Sequence, residues 1–367
     1  MSASVGLGDT AALALGAGIL GTGGGGNTYI GRLKLDRQLR LSGAPCPVLN
    51  VAHLPDDALV VGVGMMGAPT VGIEKIEAGD EVARAVQALA AHLRRDFDAL
   101  VINEIGGSNA LEPLMCALQL GLPVLDGDGM GRAFPELQMD TFSIGGIPAS
   151  PLALGDCHGN IAIFERLSSP LQAEEWARNL TIEMGGSAAL VMSLMSGAEV
   201  KAHLVRGTLS LALEMGRAVL QARADKVASP AQVIAALGNG RVLFEGKIVD
   251  VERRTVQGFA RGRMSLQAFD TPDDCMEIVF QNENLVAWRD GDVQCCVPDL
   301  ITIVTLEDGT PLGTELLRYG LRVAVIGMPA VRELKSPAAL EVVGPAAFGY
   351  EGLSCTPLPG DLLPAAS

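Results

Sequence analysis

The sequence predicts a chain in two parts, an α/β unit with a mostly parallel sheet followed by a β-rich, sandwich-like unit. Three observations predict it. Apolar runs at residues 58–63, 99–102 and 123–125 read as buried strands, and helical stretches separate them. From about residue 241 short strand-like runs follow one another, divided by turn residues. The chain has 367 residues, more than one average domain.

In order, Asp9 is placed to cap a helix running to about Leu20, apolar on all sides and therefore buried. The run Gly21-Thr22-Gly23-Gly24-Gly25-Gly26 ends it, and Asn27 caps the next helix. Asp80 is placed to cap another, in which Val82, Val86, Leu89 and Leu93 recur at helical spacing. A further helix spans about 112–120, with Pro113 in its first turn. Past Ile161, helical patterns occupy 172–183 and 209–223, and Pro230 opens a shorter one. Strand-like runs at 242–244, 247–249 and 277–280 are set off by Glu245-Gly246, Gln257-Gly258 and Thr271-Pro272-Asp273. Residues 300–305 and 321–326 read as further strands, and 357–367 as a loose end. The boundary falls near Leu167, giving units 1–167 and 168–367. No stretch there suits a flexible tether, so the units should pack together with a ligand cleft between them.

Composition limits the function. Apolar residues make up 49% and charged ones 19%, which is globular, and the net charge of −15 disfavours nucleic acid and anionic membranes. No run is long enough to span a bilayer, and Met1 to Ser4 lack the features of a signal peptide. Seven cysteines without a C-x-x-C pair suggest reduced thiols and a cytoplasmic protein.

Each of the first three strand runs leads into a polar, glycine-laced segment: Gly64 to Gly67, Asn103 to Asn109 and Asp126 to Arg132. Right-handed crossovers bring such strand ends to one edge, where open α/β sheets bind ligands. Glu104, Asp126 and Asp128 are thus candidates for a shared site. Asp126-Gly127-Asp128-Gly129 suits a divalent cation or acid–base work, because neighbouring carboxylates push one pKa up. The alternative is a solvated turn. The glycine run lacks the preceding strand of a dinucleotide site and the Gly-Lys-Ser/Thr of a P-loop. Gly24 and Gly25 either offer amides to an anion or permit a close-packed turn. Gly106-Gly107-Ser108-Asn109-Ala110 lacks the last glycine of a nucleophile elbow, which leaves Ser108 and Asn109 for capping or substrate hydrogen bonds. In Asp156-Cys157-His158-Gly159-Asn160, His158 is a candidate base or metal ligand, or part of a polar turn.

Together these segments resemble the S-methyl thiohydantoin desulfurase-like family, associated with hydantoinase and oxoprolinase proteins. The resemblance runs from about Asp9 to Tyr350. It is most specific at Asp126-Gly127-Asp128-Gly129-Met130-Gly131-Arg132-Ala133-Phe134-Pro135-Glu136. The glycine run, Asn103 to Gly107, and Asp156 to Asn160 also carry it. Later segments are Phe244 to Ile248, Asn282-Glu283-Asn284, Pro298 to Ile301, and Gly344 to Tyr350. The resemblance implies an N-terminal α/β domain, a β-rich C-terminal domain and removal of sulfur from a thiohydantoin ring.

The expected chemistry is hydrolysis at a small cyclic thioamide or imide. Asp126 and Asp128 act as metal or acid–base groups, Glu104, Asp156 and His158 stand second, and Arg132 holds a substrate carboxylate. Two rivals remain: a non-catalytic partner subunit of a hydantoinase or oxoprolinase, and a phosphate-binding enzyme that uses the glycine run. A homo-oligomer is the expected assembly.

Overall fold

The computed structural model describes residues 3–226 and 229–363. Met1, Ser2 and the last four residues of the tail lie outside this range. The α/β plus β architecture expected from the sequence is the one the chain adopts. The first sheet holds β1 (Ala3–Val5), β2 (Cys46–Leu49), β3 (Leu59–Gly67), β4 (Ala99–Ile102), β5 (Val124–Asp128), β6 (Leu152–Gly155), β7 (Ile161–Phe164), β8 (Ser187–Ser196) and β9 (Val205–Arg206). Its order is β1-β2-β5-β4-β3-β8-β6-β7, with β9 beside β5.

The centre, β2-β5-β4-β3, is parallel, and the remaining strands join antiparallel. Val61, Val63, Leu100 and Ile102 are fully buried, as near-continuous apolar strands require. The carboxyl ends of β3, β4 and β5 therefore share one edge. β5 continues to Asp128, so Asp126 and Asp128 are strand residues rather than loop residues, and β9 pairs with Gly127 and Asp128.

Residues on both sides of 167 build this sheet, since β8 lies directly between β3 and β6. The Thr208–Asp225 helix packs across the apolar Thr10–Leu20 helix. Their crossing is backbone to backbone. A Cβ on Gly16 would lie 1.7 Å from the Ala212 carbonyl oxygen, and one on Gly216 would lie 1.7 Å from that of Ala12. Asn27 caps the Thr28–Ser42 helix by accepting the amides of Tyr29 and Ile30. Asp9 and Asp80 cap nothing. Asp9 instead accepts the Gly6 amide and pairs with Arg217, and Asp80 pairs with Arg84.

The second sheet comprises β10 (Arg241–Val256), β11 (Phe259–Gln267), β12 (Cys275–Gln281), β13 (Glu283–Arg289), β14 (Asp292–Cys296), β15 (Leu300–Thr305) and β16 (Arg322–Met328). All of its pairs are antiparallel, in the order β14-β13-β12-β11-β10-β16-β15. It curls, so β13 and β14 also approach β15 and a single sheet encloses a core of Ile248, Met264, Ile278 and Val325. No turn forms at Glu245-Gly246. Both residues pair with β16 inside β10, where a bulge absorbs the break in alternation. Gln257-Gly258 does form a hairpin turn, with φ of +52° and +80°.

The other face of this sheet shares the main core. Leu13, Ile102, Val286, Leu300 and Ile326 belong to one buried cluster. The tail is docked rather than loose as far as residue 363: Leu358 and Leu362 are buried, and the Leu358 amide donates to Asp299 at 2.6 Å. Cys296 pairs with Cys355 as a disulfide, Cα atoms 6.5 Å apart, which corrects the expectation of reduced thiols at Cys296. Among the described residues no helix is long and apolar enough to cross a membrane.

Gly216→Ala should destabilise the protein by roughly 1–3 kcal/mol, because the methyl can fit only if two helices separate. Urea titration checks this. An unchanged midpoint would show that the crossing is looser than described.

Candidate active site at the junction of the two sheets

The glycine run is gripped from two sides. The amides of Asn109 and Ser108 donate to the carbonyls of Gly25 and Gly26, both at 3.1 Å. Opposite, the amides of Asn284 and Thr314 donate to Thr22 at 2.8 Å and Gly23 at 2.7 Å. Gly25 has a φ of +75° and Gly107 one of +65°, and a Cβ on Gly25 would sit 2.1 Å from the Gly106 oxygen. Glycine is required here by both conformation and space. A Cβ on Gly24 would fall 1.8 Å from Oε1 of Glu283, so the bare backbone admits that carboxyl group. Of the two sequence readings of the run, this is the close-packed turn.

Beside it lies a cavity of about 120 Å³ at the carboxyl ends of β3 and β4. Gly25, Gly26, Glu104 and Asn109 reach it from the first sheet's side, and Asn282 and Glu283 from the second's. The Asn109 carboxamide accepts the Met65 amide at 2.7 Å and donates to the Met65 oxygen at 3.1 Å and to Glu104 Oε1. Oε2 of Glu104 accepts the Phe134 amide at 3.3 Å.

Burial pushes the Glu104 carboxyl up to about 7. Glu283, 2% exposed, is pushed well above the usual range by burial and then by the Glu104 charge. Two carboxyls with raised pKa values, the second raised in part by the charge of the first, thus face one cavity from the two halves of the chain. At its rim, half-buried Lys34 pairs with Glu77 and Glu112, and Arg178 binds Glu174 through Nε at 2.8 Å.

The other expected site residues lie elsewhere. Asp126 and Asp128 do not form a pair. Asp126 accepts the amide and hydroxyl of Ser210 at 3.0 and 2.6 Å, holding the start of the Thr208–Asp225 helix. Asp128 is fully buried and accepts the amides of Ile105, Met130 and Gly131 at 2.8 to 3.0 Å. With their oxygens so engaged on different elements, these carboxylates form no cation site. Among the described residues no group of three or more His, Cys, Asp or Glu is arranged to hold a metal ion.

Arg132 is fully buried and cannot meet a substrate carboxylate. It donates to the carbonyls of Ala133, Pro298, Asp299 and Asn284 and to the Thr22 hydroxyl, tying the two parts together. Asp156 closes its own turn by accepting the amides of His158 and Asn160 at 2.9 and 2.8 Å. His158 is exposed on that turn and does not line the cavity.

Two matches with family models place the chain among known proteins. A model of the S-Me-THD-like N-terminal domain matches residues 8–166, and one of the S-Me-THD-like C-terminal domain matches residues 168–358. The chain belongs to the S-Me-THD-like family. A crystal structure of a protein from Chromobacterium violaceum is similar to it with a TM-score of 0.77. Sequence identity is 24%, over 97% of this chain and 99% of that one, which shows a shared fold. No curated protein matches the chain.

Glu283, Asn103 and Arg178 were missed as site residues. The polar triplet Asn282-Glu283-Asn284 between two strand runs was the available signal, since a carboxylate in that position is costly unless something uses or pairs it. Asp128→Ala should lower stability by roughly 3 kcal/mol or more, because it leaves three buried amides without an acceptor. Its activity loss should follow the unfolded fraction measured by circular dichroism. A stable but inactive variant would return Asp128 to the chemistry.

Proposed function

We propose that this cavity hydrolyses the carbon–sulfur bond of a thiohydantoin-type five-membered ring, with Glu104 as base and Glu283 as acid. Family membership supports an association with thiohydantoin metabolism. The observation that carries the reading is the pair of buried carboxyls with raised pKa values, one from each half. Ionised Glu104 takes a proton from water, whose oxygen attacks the ring carbon bearing sulfur. Protonated Glu283 gives its proton to the departing sulfur as the carbon–sulfur bond breaks. The ring then carries a hydroxyl, the tautomer of the oxo group, in place of sulfur. A thiol leaves, or from a thione hydrogen sulfide leaves once that hydroxyl passes its proton to the sulfur, and proton transfer from Glu104 to Glu283 resets the pair. Nη1 of Arg178, buried and without a protein partner, supplies an N–H to the charge that builds up during attack.

The pH profile follows from these roles. Activity should rise with pH through about 7 as Glu104 ionises, and fall at higher pH as Glu283 loses its proton. Glu104→Gln keeps the Asn109 contact and should reduce thiol release from an S-methyl thiohydantoin by about 100-fold or more. A variant as active as wild type, or a wild-type protein that releases no thiol or sulfide from any thiohydantoin, would contradict this mechanism.

A further inference from the structure

We propose that Asn103 reads the amide edge of the ring, and that the cavity selects neutral rings with an apolar substituent over rings bearing an anion. This rests on the cavity being the reaction site, as argued above. Asn103 stands at the carboxyl end of β4 with its backbone fixed on both sides. Its amide donates to Val63 at 3.2 Å, and its carbonyl accepts from Gly129 at 3.2 Å. The side chain is 6% exposed and lines the cavity, yet neither Nδ2 nor Oδ1 has a protein partner.

The contrast with Asn109, in the same cavity, is informative. Asn109 uses both ends of its carboxamide on the Met65 backbone, whereas Asn103 keeps a donor and an acceptor side by side for something else. Gly62 makes room for it, since a Cβ there would lie 2.2 Å from Oδ1 of Asn103. A carboxamide with both ends available matches a ring that presents N–H next to C=O, the two-point pairing that Asn makes with an adenine edge. A buried polar group without a partner is costly, so its retention in this position points to a ligand that completes it.

Charge and shape limit the rest of the ligand. Glu77, Glu104, Glu112, Glu136 and Glu283 line the cavity, and the lining cations Lys34 and Arg178 are paired with carboxylates, leaving Nη1 of Arg178, which the reaction uses for the charge formed on the ring. An anionic substituent would add repulsion without gaining a counter-charge. Met65, Met66, Leu190 and Met192 line the same space and suit an apolar or thioether substituent.

Calorimetric binding of hydrantoin-type probes that carry no sulfur tests the assignment apart from turnover: 5-isopropylhydantoin, its 1,3-dimethyl derivative and hydantoin-5-acetic acid. At pH 8 the wild-type protein should bind the first at least tenfold more tightly than either of the others. Asn103→Leu should weaken binding of 5-isopropylhydantoin at least tenfold while its melting temperature does not fall, because two unpaired buried polar atoms are removed. Equal binding of the dimethyl ring, binding unchanged in Asn103→Leu, or no binding of any hydantoin would overturn the assignment of Asn103. Equal or tighter binding of the acetic acid would overturn the selection by charge. Should Asn103→Leu fail to fold, the three ligands on the wild-type protein decide. Discrimination among hydantoins without thiol release from thiohydantoins would support this proposal and refute the hydrolytic one. Thiol release without discrimination would do the reverse.

Discussion

Backbone-to-backbone contact at the glycine run is the constraint on which the site depends. Side chains at Gly24 or Gly25 would hold the Gly106–Gly107 segment and Glu283 away by more than a bond length. With only hydrogen there, the carbonyls of Thr22, Gly23, Gly25 and Gly26 are satisfied by amides from both parts of the chain. Arg132 reinforces the junction from beneath, joining Thr22 to the carbonyls of Asn284, Pro298 and Asp299. A fully buried guanidinium is tolerated because five oxygens surround it, although burial still lowers its pKa to about 10.

The same junction sets the chemistry. Glu104 comes from the first half and Glu283 from the second, and both are buried where the halves meet. Both carboxyls lose solvation there, Glu104 also feels the charge of Asp128, and Glu283 feels that of Glu104; each effect favours the protonated form. A cavity that must both take and give a proton near neutral pH needs groups of this kind. The first sheet contributes the rigid edge, the second contributes the opposing acid, and the shared core keeps the two in register.

Most of the fold was legible in the sequence, because buried strands and capped helices leave local patterns. The runs at 99–102 and 300–305 became strands with the expected limits. Pro113 and Pro230 sit in first helical turns as expected. The errors came where tertiary contact overrides local chemistry. Gly246 read as a turn but lies within a strand, where a Cβ would meet the Gln267 oxygen at 2.4 Å. The site was only half legible. Glu104, Asn109 and Gly25 reach the cavity, but the paired carboxylates that the sequence suggests are Asp126 and Asp128, near neighbours along the chain. The pair that forms, Glu104 with Glu283, is separated by most of the second unit. No local pattern announces a partner that arrives across a domain junction.

The central claim is that Glu104 and Glu283 act as one coupled pair across that junction. Infrared titration of their carboxyl bands in wild-type protein and in Glu104→Gln tests it most directly. The account predicts that Glu283 titrates at distinctly lower pH in the variant, since the charge that held its proton is gone. A Glu283 band that titrates at the same pH in both proteins would show that the two carboxyls do not interact, and the site described here would not exist as a unit.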